Sequence, residues 1–265
     1  MSFSRTMSSV FGVAVASFAF AVPAQAAPAA SASSQPASPQ PIHSQPTSPQ
    51  PTNPQPTIID GGEAKDAPWA ARLFQNGKEA CTATIIAPEW ILTAQHCVEG
   101  AENGLSFNIG SLNQHEGEQA KGAEVQVHPT ADLALVRLDH AVQAEHAPLG
   151  EPGGVRQGQT VQTYGWGATC SDRPENECQS DKLKVANVEV TDLACTDYRG
   201  GPATCAKRGD GIPAGGDSGG PMFAKSPEDG KAYQIGVAST SDRQQQTAYG
   251  SVMAARDWIK SVAGV

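Results

Sequence analysis

A series of short runs of apolar and β-branched residues, separated by Gly, Pro, Asn and Asp, most restricts the fold of this chain. Short, often alternating runs joined by turn residues are typical of an all-β sandwich or barrel. Only the segment 253–263 has helical spacing, with Ile259 and Val262 three residues apart. The pattern predicts an all-β domain that ends in a short helix, with room for two barrels. The runs are 81–87, 90–94, 105–110, 123–128, 133–138, 160–166, 183–190, 222–224 and 233–239.

The first 26 residues have the pattern of a secretory signal. A single basic residue, Arg5, precedes an apolar run at 10–22, and the small residues Ala24 and Ala26 follow it. The run is shorter than the ~20 residues of a membrane span. We therefore predict a signal peptide at 1–26, a secreted product and no stable membrane association after cleavage. The alternative is an uncleaved anchor.

Residues 27–57 are low in complexity and rich in Pro, Gln and Ser. The unit S-Q-P-x-S-P-Q-P occurs at 34–41 and again at 44–51. Proline-rich polar sequence without apolar periodicity favours an extended, solvated conformation. We interpret this segment as a propeptide, a spacer or both, which leaves 58–265 as the folded domain.

Charge and cysteine content restrict the possible partners and the compartment. The formal net charge of −9 argues against nucleic acid, which requires a basic face. An even number of cysteines after a secretory signal predicts disulfides, and their spacing favours local pairs. Zinc is the competing interpretation, but no C-x-x-C pair occurs and we expect no metal. The predicted pairs are Cys81 with Cys97, Cys170 with Cys178, and Cys195 with Cys205.

Three segments contain the residues of a nucleophilic site. His96 stands beside Cys97, Asp132 begins the apolar run "DLALVRL", and Ser218 lies in the glycine-rich "GGDSGGP". Each has a structural explanation by itself: a structural histidine, a turn aspartate and a flexible glycine loop. Together they have the chemistry of acyl transfer.

The roles follow from what a serine hydroxyl needs in order to attack. We assign Ser218 as the nucleophile and His96 as the base that removes its proton. Asp132 orients the imidazole and stabilises the imidazolium. The N–H groups of Gly216 and Ser218 would hold the oxyanion.

These motifs resemble those of the chymotrypsin/trypsin-like serine proteases, and most of all their bacterial secreted members. The matching segments are "TAQHC" at 93–97, "DLALVRL" at 132–138, "YGWG" at 164–167, "GGDSGGP" at 215–221 and "DWI" at 257–259. The resemblance implies two six-stranded antiparallel β-barrels with the active site in the cleft between them. It also implies an endopeptidase that acts through an acyl-enzyme without a cofactor. Its partners would be protein or peptide substrates and proteinaceous protease inhibitors, and the domain would be monomeric.

The segment "IIDGG" at 58–62 resembles the mature N-terminus of the family. The resemblance implies a zymogen in which cleavage before Ile58 frees an amino group that pairs with Asp217. Because Thr57 precedes the cut, another protease, and not a trypsin-like self-cleavage, would activate the chain. The alternative is that Asp217 only caps a turn.

The resemblance also bears on which residue the chain prefers before the scissile bond. The family's pocket floor lies six residues before the nucleophile, where this chain has Ile212, and Ala214 replaces a family cysteine. An isoleucine floor favours apolar or small residues, because it cannot compensate a buried charge. If the loop shifts, Asp210 could reach the pocket and favour Lys or Arg. The resemblance places Ser239 and Ser241 in the pocket wall.

Two other functions share this scaffold or chemistry. An esterase of the G-x-S-x-G kind would carry its residues in the order Ser, Asp, His, which is the reverse of the order here. A catalytically inactive binding protein on the same fold would usually lack one of the three residues. The sequence therefore favours a serine endopeptidase.

Overall fold

The computed structural model describes residues 58–265. The predicted signal peptide at 1–26 and the low-complexity segment at 27–57 lie outside the described residues. Among the described residues, no helix has the length and apolar character needed to cross a membrane.

The described chain consists of thirteen strands and one α-helix. Two short 3-10 turns, at Gln95–Cys97 and Glu175–Glu177, lie in loops. In chain order the elements are β1 Gly62–Glu63, β2 Ala70–Gln75, β3 Lys78–Ala87, β4 Trp90–Thr93, β5 Leu105–Ile109, β6 Glu118–Val127, β7 Ala134–Leu138, β8 Thr160–Gly165, β9 Lys184–Thr196, β10 Pro202–Arg208, β11 Pro221–Lys225, β12 Ala232–Ser241, β13 Gln246–Ser251 and α1 Arg256–Ala263.

The first barrel is closed by six antiparallel strands in the order β2-β3-β4-β7-β6-β5, with β5 pairing back to β2. Alternate side chains of these strands point inward, as the pleat requires. They form one apolar core that contains Leu73, Ile85, Ile91, Phe107 and Leu135. The core holds the ends of β4 and β7, from which His96 and Asp132 project.

The second barrel has the strand order β9-β10-β13-β12-β11-β8, and pairing of β8 with β9 closes it. Strand β1 adds to the outside of β9. Its core contains Val161, Val188, Met222, Ile235 and Tyr249. The loop with Ser218 leaves this barrel between β10 and β11.

Aromatic packing and a backbone hydrogen bond join the barrels. Trp69 meets Phe223 with ring centroids 4.4 Å apart and contacts Tyr164 edge to face at 5.1 Å. The Thr82 N–H on β3 donates to the Ser218 carbonyl at 2.9 Å. The serine loop is therefore held by both barrels.

The predicted fold class and terminal helix are confirmed. Helix α1 packs on the first barrel through the buried Ile259, and Gly264 ends it with φ +79°. The sequence pattern did not predict strands β2, β10 and β13. Strand β2 carries the buried charged residue Arg72 among its apolar residues, and β10 and β13 consist mostly of small or polar residues.

The three disulfides are the predicted local pairs, and no cysteine is free. The Cα–Cα distances of 6.1–6.2 Å lie within the usual range. The pairs are Cys81–Cys97, Cys170–Cys178 and Cys195–Cys205.

Candidate active site

His96 lies in the 3-10 turn that follows β4, and the Cys81–Cys97 disulfide ties this turn to β3. Its backbone N–H donates to Asp132 Oδ1 at 3.0 Å. Its ring Nδ1 lies 2.8 Å from Asp132 Oδ2. Two contacts to one carboxylate fix both the position and the angle of the half-buried imidazole.

Asp132 is fully buried just before β7. Besides its two contacts with His96, its Oδ2 accepts a hydrogen bond from the Ser239 hydroxyl at 2.6 Å. Burial alone would raise the pKa of Asp132. The hydrogen bonds and charge of His96, with the Ser239 hydroxyl, outweigh burial and lower that pKa below its usual value. The carboxylate is therefore ionised at neutral pH.

Asp197, which the sequence analysis did not identify, supports Asp132 from the second barrel. Its buried Oδ2 accepts the Asp132 N–H at 2.8 Å, and its Oδ1 accepts the N–H groups of Arg199 and Gly201 at 2.9 Å. An aspartate followed by glycines in a disulfide loop is the only local signal, and it predicts a turn.

Ser218 and His96 line the same cavity, of about 580 Å³. Within the described residues, His96 Nε2 takes part in no hydrogen bond, so it is free to accept a proton from a hydroxyl. Gly219, with φ +77°, makes the sharp turn after the serine. A side chain there would collide with the Thr82 carbonyl.

The N–H groups of Gly216 and Ser218 donate to nothing in the described part of the chain. The peptide that carries the Gly216 N–H is held from its other end, because the Ala168 N–H donates to the Gly215 carbonyl at 2.8 Å. The Gly216 carbonyl accepts the Thr82 hydroxyl at 2.9 Å. Two unused N–H groups on a fixed loop suit the stabilisation of an oxyanion.

Asp217 is buried behind the serine and accepts the N–H groups of Gly167 at 2.7 Å and Ala214 at 2.9 Å. Burial raises the pKa of Asp217 to about 6, and those two N–H groups oppose the rise. Ile58 is buried, and Ile59 pairs with Ile212 in an isolated bridge. The described hydrogen bonds include none between Ile58 and Asp217, and the latch stays a prediction.

A second cavity, of about 210 Å³, opens beside Ser218 on the side of β12. Ser239 and Ser241 line it, while Ile212 and Asp210 are not among its lining residues. Ile212 is buried against Ile59, and the Asp210 carboxylate accepts the Asn187 N–H at 2.6 Å. The full lining is Pro213, Ala214, Gly215, Ser218, Ala238, Ser239, Thr240, Ser241, Arg243 and Thr247.

An ion pair joins the two walls of this second cavity. Glu175, from the small Cys170–Cys178 loop, accepts the Gly215 N–H at 3.1 Å and the Arg243 Nη2 at 2.8 Å. Gly215 belongs to one wall and Arg243 to the other. Sequence reasoning missed both side chains, because nothing local indicates that residues 175 and 243 meet.

The site contains a histidine oriented by a carboxylate and a serine flanked by glycines, in the cleft between two closed β-barrels. This combination defines the class of two-barrel serine proteases. A family model described as Trypsin matches residues 58–259. The chain belongs to the trypsin family.

Similar proteins come from animals and bacteria. Serine protease 56 of Mus musculus is 31% identical over 77% of this chain and 38% of its own length. An uncharacterized peptidase of Corynebacterium glutamicum is 33% identical over 56% of this chain and 50% of its own length. Brachyurin of Leptuca pugilator is 29% identical over 78% of this chain and 99% of its own length. The chain thus spans half or less of the first two relatives and nearly all of the third.

Proposed function

We propose that this protein is a secreted serine endopeptidase. The observation that carries the proposal is the buried Asp132 carboxylate, 2.8 Å from His96 Nδ1, with Ser218 on the same cavity. This arrangement leaves His96 Nε2 as the proton acceptor for a hydroxyl in that cavity.

The proposed reaction has two halves. His96 Nε2 takes the Ser218 proton while Oγ attacks the scissile carbonyl carbon, and the N–H groups of Gly216 and Ser218 stabilise the oxyanion. The imidazolium then protonates the leaving amine, and the C–N bond breaks to give an acyl-enzyme. Water, deprotonated by His96, attacks the ester and releases the acid product and Ser218.

A fluorophosphonate probe tests this function, because it reacts only with an activated serine. We expect the chain processed at Ile58 to be labelled, and Ser218→Ala to abolish labelling. Hydrolysis of a casein substrate should be lost in the same variant. Absence of labelling in folded, processed wild-type protein would support an inactive binding protein. Labelling of a protein that hydrolyses esters but not peptides would support an esterase.

We further propose that cleavage before Ile58 yields the mature enzyme. The amino group so freed would pair with the Asp217 carboxylate, which is buried and has no cation bonded directly to it in the described structure. We expect N-terminal sequencing of the active secreted protein to give Ile58 as its first residue. Active protein with a different first residue would contradict the proposed cleavage site.

For specificity we propose a small or apolar residue before the scissile bond. The pocket of about 210 Å³ supports this, because its lining contains no carboxylate and its one cation, Arg243, is already paired with Glu175. A preference for Lys or Arg would require Asp210 to leave Asn187. The test compares the cleavage rates of peptides that differ only at this position. Cleavage confined to peptides with Lys or Arg there would overturn the proposal.

A further inference from the structure

Among the described residues, Arg243 is the one cation that lines the pocket beside Ser218, and the proposed reaction makes no use of its charge. The turn between β12 and β13 fixes its position. Asp242 Oδ1 accepts three successive N–H groups of this turn at 2.7–2.8 Å. The backbone of Arg243 has φ +60°, a left-handed conformation that few residues other than glycine adopt. Such conformations cluster at functional sites, which directs attention to what this side chain contacts.

The guanidinium of Arg243 is occupied by the carboxylate of Glu175. Glu175 Oε1 lies 2.5 Å from Arg243 Nε, and Glu175 Oε2 accepts Arg243 Nη2 at 2.8 Å. Two parallel contacts of this kind form the strong, bidentate type of arginine–carboxylate pair. Glu175 itself is not among the residues that line the pocket. It therefore cancels the charge of Arg243 from outside the space that a substrate side chain would enter.

The loop that carries Glu175 is anchored beside the pocket. The Cys170–Cys178 disulfide closes this loop, and the Ala168 N–H at its base donates to the Gly215 carbonyl at 2.8 Å. Glu175 Oε1 in turn accepts the Gly215 N–H at 3.1 Å. A side chain at position 215 would collide with the carboxyl group of Glu175. A carboxylate that is tethered in this way competes at high effective concentration with any substrate carboxylate.

Without Glu175, the pocket would contain the groups that bind a carboxylate. Arg243 would present a free, planar guanidinium, which suits carboxylate recognition. The Ser241 hydroxyl oxygen accepts the Arg243 N–H at 3.0 Å, and this hydroxyl donates to nothing in the described part of the chain. Its proton is thus available to a second carboxylate oxygen. A substrate Asp or Glu side chain would then find both a cation and a donor there.

We propose that Glu175 is a specificity-determining residue, which neutralises Arg243 and so excludes peptides with Asp or Glu before the scissile bond. This role rests on the proposed peptidase activity, and it accounts for a preference for small or apolar residues in a pocket that is lined by an arginine. While the ion pair is intact, an acidic side chain would lose its hydration without gaining a partner. Neutralising one member of the pair should therefore change the charge selectivity of the enzyme.

The test compares kcat/KM for two peptides that differ only in having Glu or Gln before the scissile bond. Because Glu and Gln are nearly equal in size, the Glu-to-Gln ratio reports charge and cancels a general change in pocket shape. The assay uses chain processed at Ile58, at low ionic strength and near pH 8, where the peptide carboxyl is ionised. We expect a ratio well below one for the wild type. Glu175→Gln should raise it about fivefold, the upper range for an ion pair whose side chains are 58% and 29% exposed.

Arg243→Gln is the matched control, because it breaks the same ion pair but leaves the opposite charge. Its Glu-to-Gln ratio should not rise, and a peptide with Lys at this position should instead be cleaved about fivefold better relative to Gln. The double variant, Glu175→Gln with Arg243→Gln, contains neither charge and should return both ratios to their wild-type values. About 0.5 M NaCl should reduce the shifts in the single variants, because salt screens exposed charges.

Equal Glu-to-Gln ratios in Glu175→Gln and wild type would overturn the proposal, as would a rise of the same size in Arg243→Gln. If Glu175→Gln does not fold, the Lys-to-Gln ratio of Arg243→Gln decides, and an unchanged ratio there would overturn the proposal. Fluorophosphonate labelling shows which level has failed. Labelled wild-type protein with unchanged ratios in the variants refutes the role of Glu175 alone, whereas folded, processed wild-type protein without labelling refutes the proposed function and this role with it.

Discussion

Asp132→Asn tests the proposed mechanism most directly. The carboxylate is fully buried, and its Oδ2 lies 2.8 Å from His96 Nδ1. When Ser218 attacks, His96 becomes an imidazolium, and an opposite charge at about 4 Å is worth about 4 kcal/mol at an effective dielectric constant near 20. Asparagine lacks that charge. Its NH₂ group also favours the imidazole tautomer that carries its proton on Nε2, which cannot accept the serine proton.

The expected loss follows from this energy. Because about 1.4 kcal/mol corresponds to a factor of ten, kcat should fall by about 10³-fold or more, with KM nearly unchanged. The assay is steady-state hydrolysis of a peptide substrate near pH 8, with urea unfolding to show that the variant is folded.

Ser239→Ala is the control, because its hydroxyl donates to the same Oδ2 at 2.6 Å. It removes a hydrogen bond worth about 1 kcal/mol and keeps the charge, so kcat should fall by less than about tenfold. An Asp132→Asn enzyme within tenfold of wild type, or equal losses in the two variants, would refute the argument.

Three further predictions concern the groups around the site. Burial raises the pKa of Asp217 to about 6. Between about pH 4 and 6 the folded chain therefore keeps a proton that the unfolded chain has lost, so the free energy of unfolding falls as the pH rises through this range. In urea titrations of the uncut chain, Asp217→Asn should remove this pH-dependent loss of stability, which is on the order of 3 kcal/mol. A variant whose stability depends on pH as the wild type's does would contradict the prediction. Glu175→Gln should raise KM about two- to fivefold through a weaker contact with Arg243, with kcat near wild type; a fall in kcat alone would disagree. Asp197→Ala should lower the free energy of unfolding by about 1–3 kcal/mol, because it leaves buried N–H groups unpaired, and an unchanged urea midpoint would speak against that role.

The local features of the fold could be predicted from sequence. Alternating runs and turn residues indicated the barrels, and the i, i+3 spacing of Ile259 and Val262 indicated the helix. Cysteine spacing gave the three disulfides, whose partners are only 8 to 16 residues apart. Strands β10 and β13 were missed, because pairing with neighbouring strands stabilises polar segments whose own preference for extended structure is weak.

The arrangement of the pocket could not be predicted in the same way. The motif spacing suggested that Ile212 forms the floor and that Asp210 could reach it. In the folded chain Ile212 pairs with Ile59, and Asp210 bonds to Asn187. Each of these partners comes from a distant part of the chain, so the spacing along "GIPAGGDSGGP" carries no information about them.

The sequence by itself determined the residue types of the site, because the short motifs "TAQHC" and "GGDSGGP" contain the histidine and the serine together with their adjacent residues. Only the tertiary structure decided what supports them: Asp197 behind Asp132, Glu175 between the pocket walls, and Arg72 behind the Gly216 carbonyl. The physical reason is that a buried charge is stable only where distant segments bring it donors, acceptors or opposite charge. Closure of the two barrels creates those places, and no short stretch of the chain encodes them.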